Sequence, residues 1–495
     1  MESYKIHRQL SRGLNCLPSC ESVNLAVMSN SPHEWYLRIE AVNLDHSVYD
    51  TNDISTIRGG SSLLLDAVRI NDKPEFRDIL IPVSVGASTG LYEMNVSSDD
   101  EMRALETKVR EYLKREPYNH FATFVVATIK RSLAEAGEQL VGACALQQYR
   151  LPTFAFSAYE PLPKEHEECE YGGVRPAKHT LPGKKKKVSH AVYVRREEGK
   201  RLRKDLYQSC LDGNYWQFVD DLEELAQNDS IAVIHLDGNR FGAIRDHCKQ
   251  KGDYQQLDKS IQKIQKEAIC NIARNSPKAG EKHRLETLLW GGDEIELVVP
   301  APQAWTTLKR FFEATAIKPC EIGGKQFILT WSAGVVFCRH NLPILQVRGY
   351  AEQLCSIAKQ RLSDAPERFI ASDNRFSYLN MSSFEMISRE VEPFIKSYHQ
   401  PASVEEFTFS MQEIEQLYAD MVTITRSFPK NKVYDIVELI QRGEAVDALV
   451  ERALKMVNSS SRAALESVIK RVLSENDKRW LLIGDLWNLV GGETL

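Results

Sequence analysis

The sequence predicts an α+β protein of several domains, and three observations carry that reading. Short segments rich in Val, Ile and Leu alternate with helical runs from residue 34 to about residue 375. Between Ser230 and Ala371 the order reads strand, helix, strand, strand, helix, strand, with one extra helix, a ferredoxin-like βαββαβ pattern. Beyond residue 385 the strand signal stops and only helical periodicity remains. A chain of 495 residues is also too long for one core, so two to four domains are expected.

Bulk properties narrow the function. The composition, 43% hydrophobic and 26% charged, is that of a soluble globular protein. A net charge of -5 excludes a uniformly basic, nucleic-acid-coating chain, leaving local basic patches open. No apolar run reaches transmembrane length and no secretory signal is read at the N-terminus, so a cytoplasmic protein without membrane contact is expected. Ten cysteines lie scattered, mostly in apolar segments, which predicts reduced thiols rather than a disulfide framework.

Residues 1–33 form an N-terminal extension, where Cys16 and Cys20 lack two further ligands and read as a chance pair. Residues 34–150 form an α+β unit. Trp35–Val42 alternates as a half-buried strand, Ile79–Val85 and Leu91–Val96 follow as strands, and Asp99–Arg115 is a charged helix. Phe121–Ala136 mixes both signals. Within this unit Arg58-Gly59-Gly60-Ser61 reads as a turn opening a helix with Ser as N-cap. The alternative is anion binding through outward-pointing N–H groups.

Residues 151–200 are a basic linker. Lys184–Lys187 is a like-charge run that reads as a solvated loop, with phosphate-backbone contact as the alternative. Cys169-Glu170-Tyr171-Gly172 is half of a CxxC knuckle, and a lone Cys makes zinc unlikely. A basic amphipathic helix, Glu197–Leu211, carries or follows Arg195, Arg196, Lys200, Arg201, Arg203 and Lys204.

Residues 201–375 hold the chemistry. Ser230–Leu236 is a continuous apolar strand of the buried kind, ending in Asp237-Gly238-Asn239-Arg240-Phe241-Gly242. A helix is predicted from about Leu257 to Arg274. Leu288–Pro300 then reads as a hairpin with Gly291-Gly292 at its turn and Asp293-Glu294 at or just past its tip. A helix near Gln303–Thr315, a strand Phe327–Cys338, a helix Ile344–Arg361 and a short strand near Arg368–Ala371 complete the unit. Residues 385–495 read as a bundle with helices at Phe407–Thr425, Lys432–Arg442, Glu444–Met456, Arg462–Leu473 and Arg479–Leu489.

In the βαββαβ topology the first and third strands are central, so Asp237 and Asp293 come to one sheet edge. With Glu294 they form three carboxylates, which repel unless a cation or proton intervenes. Such a set suits two Mg²⁺ or Mn²⁺ ions in nucleotidyl transfer. Gly238 and Gly242 would let phosphate oxygens approach the backbone. Lys359 either reaches a phosphate or is a solvated helix lysine, the commoner case.

The two motifs, Asp237–Gly242 and Gly291–Glu294, resemble the Palm domain shared by GGDEF nucleotide cyclases and the large catalytic subunit of type III CRISPR effector complexes. Ser332–Phe337 with His340, Pro343, Ala351, Leu354, Ala358 and Lys359 resembles that subunit's next strand and helix. Cys169…Ala177 and Arg195–Gly199 resemble its knuckle region, and Ile57–Ser61 its first, non-catalytic Palm. The resemblance implies two ferredoxin-like Palm domains and a helical end domain. It implies Asp237, Asp293 and Glu294 as metal ligands and Lys359 on the triphosphate, with Gly238, Asn239, Arg240, Phe241, Gly242, Gly291 and Gly292 around the nucleotide. The implied activity converts an NTP, ATP favoured, into a cyclic or oligonucleotide messenger in prokaryotic antiviral defence. Implied partners are RNA or protein subunits, met through the basic 184–204 region and the C-terminal helices; homo-oligomerisation is left open. Two departures stand out: Asp293-Glu294 replaces the Asp-Asp usual in those subunits, and Asn239 stands where a second Asp often sits. The alternatives are a decayed Palm scaffold holding RNA or subunits, and a polymerase making linear nucleic acid.

Overall fold

The computed structural model describes residues 34–490, except 87, 152–166, 173–174, 184, 211–216, 317–318, 361, 363–372, 385, 400–403 and 476–478. The N-terminal extension, with Cys16 and Cys20, and the short strand expected near Arg368–Ala371 lie outside the described residues.

The first unit begins with β1 (Glu34–Val42), whose two faces serve two cores. Leu37, Ile39 and Ala41 face the main core, whereas Tyr36 and Val42 face a smaller one. Next come α1 (Ile54–Val68), β2 (Leu80–Val85), β3 (Thr89–Met94), α2 (Asp99–Leu113) and β4 (Thr123–Arg131). The sheet order is β2-β3-β1-β4, antiparallel throughout, which is the ferredoxin-like arrangement. The ambiguous stretch 121–136 resolves into β4 followed by α3 (Leu133–Gln148). Ala136, Leu140 and Cys144 of α3 cover the smaller core.

Arg58–Ser61 does not open a helix. These residues lie inside α1, buried, and the N-cap is Asp53, whose side chain accepts from the Thr56 N–H at 2.9 Å. Both sequence readings of this turn therefore fail, since its N–H groups are used within the helix. Gly59 has a packing role instead. A Cβ there would sit 1.7 Å from the Arg195 carbonyl oxygen, and one at Gly199 would sit 2.4 Å from that of Ser55. The two glycines let α1 cross α4 (His190–Cys210) backbone against backbone.

The basic helix is likewise corrected. Arg195, Arg196 and Arg203 point inward. Arg195 pairs with Asp50 at 2.9 Å, Arg196 with Asp53, and Arg203 with Glu286 at 3.3 Å, beside the buried Arg58–Glu286 pair. The exposed remainder is largely neutralised, with Lys200 on Glu197 and Arg201 on Glu198 and Asp205. In the lysine run, Lys186 holds Glu170 at 2.6 Å and Lys187 holds Glu167. Composition registers these arginines as a patch, but their partners lie more than 140 residues away in sequence for Arg195 and Arg196.

The second unit comprises β7 (Ser230–Gly238), α5 (Lys251–Arg274), β8 (Glu286–Gly291), β9 (Glu294–Pro300), α6 (Ala304–Ala316), β10 (Trp331–Arg339) and α7 (Ile344–Gln360), then β11 (Arg375–Asn380) and β12 (Thr408–Ser410); β5 (His179–Thr180) and β6 (Lys187–Val188) form a small hairpin before α4. Its sheet order is β8-β9-β7-β10-β11-β12. The first four strands repeat the ferredoxin-like order. β11 then adds in parallel to β10, and β12 antiparallel to β11. A strand at Thr408–Ser410 corrects the expectation that residues beyond 385 contribute none. At three residues it is too short to register as a period-2 signal. Helices follow at Met411–Ser427, Lys430–Gln441, Asp447–Lys455, Ser459–Glu475 and Arg479–Leu486.

The thiols are not all unpaired. Cys210 at the end of α4 and Cys270 of α5 form a disulfide, because packing brings their Cα atoms to 4.7 Å. Among the described residues the other six cysteines are free. No described helix is long and apolar enough to cross a membrane.

The C-terminal helices bury an acid. Burial pushes the Asp485 carboxyl up to about 7, a rise that the neighbouring polar groups of Tyr378 and Asn380 oppose. The folded state therefore holds a proton that the unfolded chain releases above about pH 4. Stability falls as pH rises from about 4 to 7 and stays lowered above that. Asp485→Asn should flatten this slope and raise stability at pH 8 by roughly 2–4 kcal/mol. Thermal melts at pH 4 and pH 8 check this; equal slopes in wild type and variant would refute it.

Candidate active site

β7 places Asp237. Ile231–Leu236 are buried in unbroken succession because β9 and β10 flank this strand and helices cover it. Asp237 is the first residue of the run to reach partial exposure. The β8–β9 hairpin places the other two acids. Gly291 pairs with Glu294, so Gly292 and Asp293 make a two-residue turn. Gly292 takes φ 60° and Asp293 does not take a positive φ, which fits a II′ turn with glycine first.

The three carboxylates share one electrostatic neighbourhood. Asp293 is held above the usual carboxylate range, first by burial and then by the negative charge of Asp237. Glu294 is pushed up to about 7, again by burial first, with His235 opposing and Asp237, Asp293 and Glu296 adding to the rise. Raised carboxyl groups clustered at a strand end mark a place where a positive charge would be stabilised. Two cationic side chains already act there. Lys359 Nζ donates to Asp237 Oδ2 at 2.6 Å and to the Gly238 carbonyl at 2.9 Å, and Arg245 acts on Asp293. Lys359 is thus a site residue rather than a solvated helix lysine.

Strand parity sorts the neighbours. His235 and Asp237 share one face of β7, and Glu294 and Glu296 one face of β9. His235 Nδ1 lies 3.0 Å from Glu296 Oε1, and Arg348 Nε lies 2.5 Å from the same oxygen. Arg348, Cys355 and Lys359 are spaced as one stripe of α7. A set of ligand atoms all within 4.8 Å of one another joins Asp237 to His235 and Cys355. Asp293 stands at the turn. A Cβ on Gly238 would meet the Asp293 Cβ at 2.9 Å and the Phe241 ring at 2.6 Å, so Gly238 makes room for the acid. Trp331 Nε1 donates to the Asp293 carbonyl at 2.8 Å and fixes the turn.

Residues 230–365 match the family described as Cas10/Cmr2, second palm domain. The palm match covers Asp237, both glycine motifs and Lys359. Among solved structures, a chain of a Csm1–Csm4 cassette in complex with AMPPNP is 13% identical, with a TM-score of 0.51 over 92% of this chain and 69% of that one. One in complex with cA3 is 12% identical, with a TM-score of 0.50 over 91% and 70%. One in complex with cA4 gives 13% identity and a TM-score of 0.41, and there this chain spans only 53% of the other's length. At such identities the likeness shows the fold alone. No curated protein matches.

Within the palm, several expected nucleotide contacts are placed elsewhere. Asn239 is buried, and its amide donates to Thr330 Oγ1 (3.2 Å) and the Asp373 carbonyl (2.8 Å) while accepting from Ser332 Oγ (2.8 Å). It ties three loops together and is not available to a nucleotide. Phe241 is buried against Trp331 at 5.1 Å. Arg240 lies 3.3 Å from Asp373. Gly242 is exposed with open space around it. Gly291 is a strand residue and Gly292 the turn.

Sequence reading missed Arg245, Trp331, His235 and Asp258. Asp258 of α5 accepts from the Val85 N–H at 2.8 Å and feels Asp293, linking the first unit to the hairpin. His235 had a signal, a polar residue inside an apolar strand two before Asp237. Asp258, one acid on a charged helix, had none.

Proposed function

We propose that this chain is a metal-dependent nucleotidyltransferase of the cyclase kind, joining NTPs, ATP favoured, into a cyclic or oligonucleotide messenger for antiviral defence. One observation carries it: Asp237, Asp293 and Glu294, with Lys359 at 2.6 Å, stand at the strand ends of a stretch matching the Cas10/Cmr2 second palm domain. The related cassettes bind AMPPNP and cA3, an ATP analogue and an oligoadenylate by those names, which supports adenine nucleotides here. In the reaction a 3′-hydroxyl oxygen bonds to an α-phosphorus and the bond to the β-phosphate bridging oxygen breaks, releasing pyrophosphate.

The residues present fit a hard divalent ion: all three are oxygen donors, and burial with mutual repulsion raises Asp293 and Glu294, a cost that a bound cation would offset. Mg²⁺ or Mn²⁺ held there would supply Lewis-acid stabilisation and activation of the hydroxyl. Lys359, paired with Asp237 at 2.6 Å, is the residue that would meet a triphosphate oxygen. RNA or protein subunits are its partners in this reading, the latter supported by the subunit pairing of the related cassettes.

A second reading, a scaffold that retains the palm without turnover, is favoured by the structural use of Asn239. Incubation with labelled ATP or GTP and Mg²⁺ or Mn²⁺, alone and with RNA or partner subunits, separates them. Pyrophosphate release with a phosphatase-resistant product is the expected result. A phosphatase-sensitive ladder would assign a linear polymerase, and no turnover under any condition would assign the scaffold.

A further inference from the structure

A second cluster of ligating side chains lies in the first unit. Glu116 and His120 stand in the connection between α2 and β4. His190 is the first residue of α4, and His179 lies in β5 of the small hairpin just before it. Ligand atoms of Glu116, His120 and His190 all fall within 4.8 Å of one another. Glu116 Oε1 is 2.8 Å from His120 Nε2 and 3.7 Å from His190 Nε2. Ligands of a tetrahedral zinc ion at bond lengths near 2.0 Å stand about 3.3 Å apart, between these two values. The third separation, between the two imidazoles, lies within 4.8 Å.

A plain Glu116–His120 ion pair would explain the shorter distance but not the rest. His190 brings its Nε2 to the same carboxylate oxygen, and the two imidazoles meet edge to face at 4.2 Å. Behind His190, His179 Nε2 lies 2.7 Å from His190 Nδ1. That contact occupies Nδ1 and leaves Nε2 to face Glu116, the arrangement by which an outer partner orients a metal-binding imidazole. His179 is itself stacked on Tyr193 at 4.4 Å. His120 is buried, and among the described residues its Nδ1 has no hydrogen-bond partner. Glu116 is exposed, which leaves a coordination position open to water.

The geometry points to a transition-metal site, for Zn²⁺ by its two-imidazole, one-carboxylate donor set, held by Glu116, His120 and His190 and oriented by His179. Separate from the palm carboxylates, it ties the turn before β4 to the start of α4 and the β5–β6 hairpin. It does not depend on Cys169, whose Sγ instead accepts from the Gly172 N–H at 3.4 Å.

The test uses the full chain, stripped with chelator and titrated with ZnCl₂ in excess Mg²⁺, with bound zinc counted by elemental analysis and affinity read by calorimetry. Wild type and Asp293→Asn should each bind one equivalent that His120→Ala/His190→Ala loses. His179→Ala should bind it about 10- to 100-fold more weakly. Should the double variant fail to fold, Glu116→Gln, at an exposed position, should still weaken binding at least tenfold. Zinc should also raise the melting temperature of wild type and of Asp293→Asn, and not that of His120→Ala/His190→Ala. No zinc on wild type, or an undiminished equivalent in folded His120→Ala/His190→Ala or Glu116→Gln, would overturn the site.

Discussion

Asp293→Asn is expected to abolish nucleotide turnover while leaving the protein as stable as wild type or more so. The two halves of this result have one cause. Burial and the Asp237 charge hold the Asp293 carboxyl above its ordinary range, so its ionised form costs folding free energy. An isosteric amide removes that cost. The same substitution removes a negatively charged oxygen ligand from the proposed cation site, and loss of several kcal/mol of transition-state stabilisation lowers the rate on the order of 10³-fold or more. Asp237→Asn should match it in rate but not in stability, because it breaks the 2.6 Å pair with Lys359. Paired measurements of pyrophosphate release and melting temperature check both. Full turnover in the two variants together would end the assignment of these residues. A loss of activity accompanied by unfolding would point to a structural role instead.

Gly59→Ala should be the most damaging single methyl group in the first unit. The added carbon would meet the Arg195 carbonyl oxygen at 1.7 Å, and that atom is backbone, so a rotamer change cannot relieve it. Helices α1 and α4 must separate, which disturbs the Arg195–Asp50 and Arg196–Asp53 pairs and the Arg58 contact to Gly199. We expect a loss of at least about 3 kcal/mol, read as a lower denaturant midpoint. Two glycines serve as controls. At Gly60 the nearest neighbour is the Arg195 Cδ at 3.2 Å, a side-chain atom that has to give by only a few tenths of an ångström, so alanine should cost much less than at Gly59. At Gly137, within α3, nothing lies within 4 Å, and alanine should stabilise by up to about 1 kcal/mol. If all three behaved alike, close helix crossing would not be the reason for Gly59.

Gly59 shows where reading a sequence reaches its limit. Gly-Gly between Arg and Ser is a turn signal by local rules, and the run was read as a helix start. The residues form mid-helix because Gly199, 140 positions on, supplies the opposing smooth surface. Lys359 stayed open between two readings for a different reason. Its helix was legible, but helical spacing cannot say that the last turn ends over the end of β7. Asn239 was legible as a position and misleading as a role, since its buried partners lie elsewhere in the chain, Thr330 and Asp373 on other loops and Ser332 in β10.

What the chain determines by itself is whatever one strand or one turn encodes. The unbroken apolar run Ile231–Leu236 dictates a central strand, its end dictates where Asp237 emerges, and Gly291-Gly292 dictates a hairpin with acids at the tip. The βαββαβ order then fixes that these ends meet, because first and third strands are neighbours in that topology. Tertiary structure alone decided the charges. It turned Arg195, Arg196 and Arg203 inward, set Lys359 on Asp237, raised Asp293 and Glu294, and gathered Glu116, His120 and His190. The physical reason is range. Hydrophobic periodicity records the face a segment buries and repeats along the segment, whereas a charge is defined by its few nearest neighbours and its burial, which arrive from anywhere in the chain.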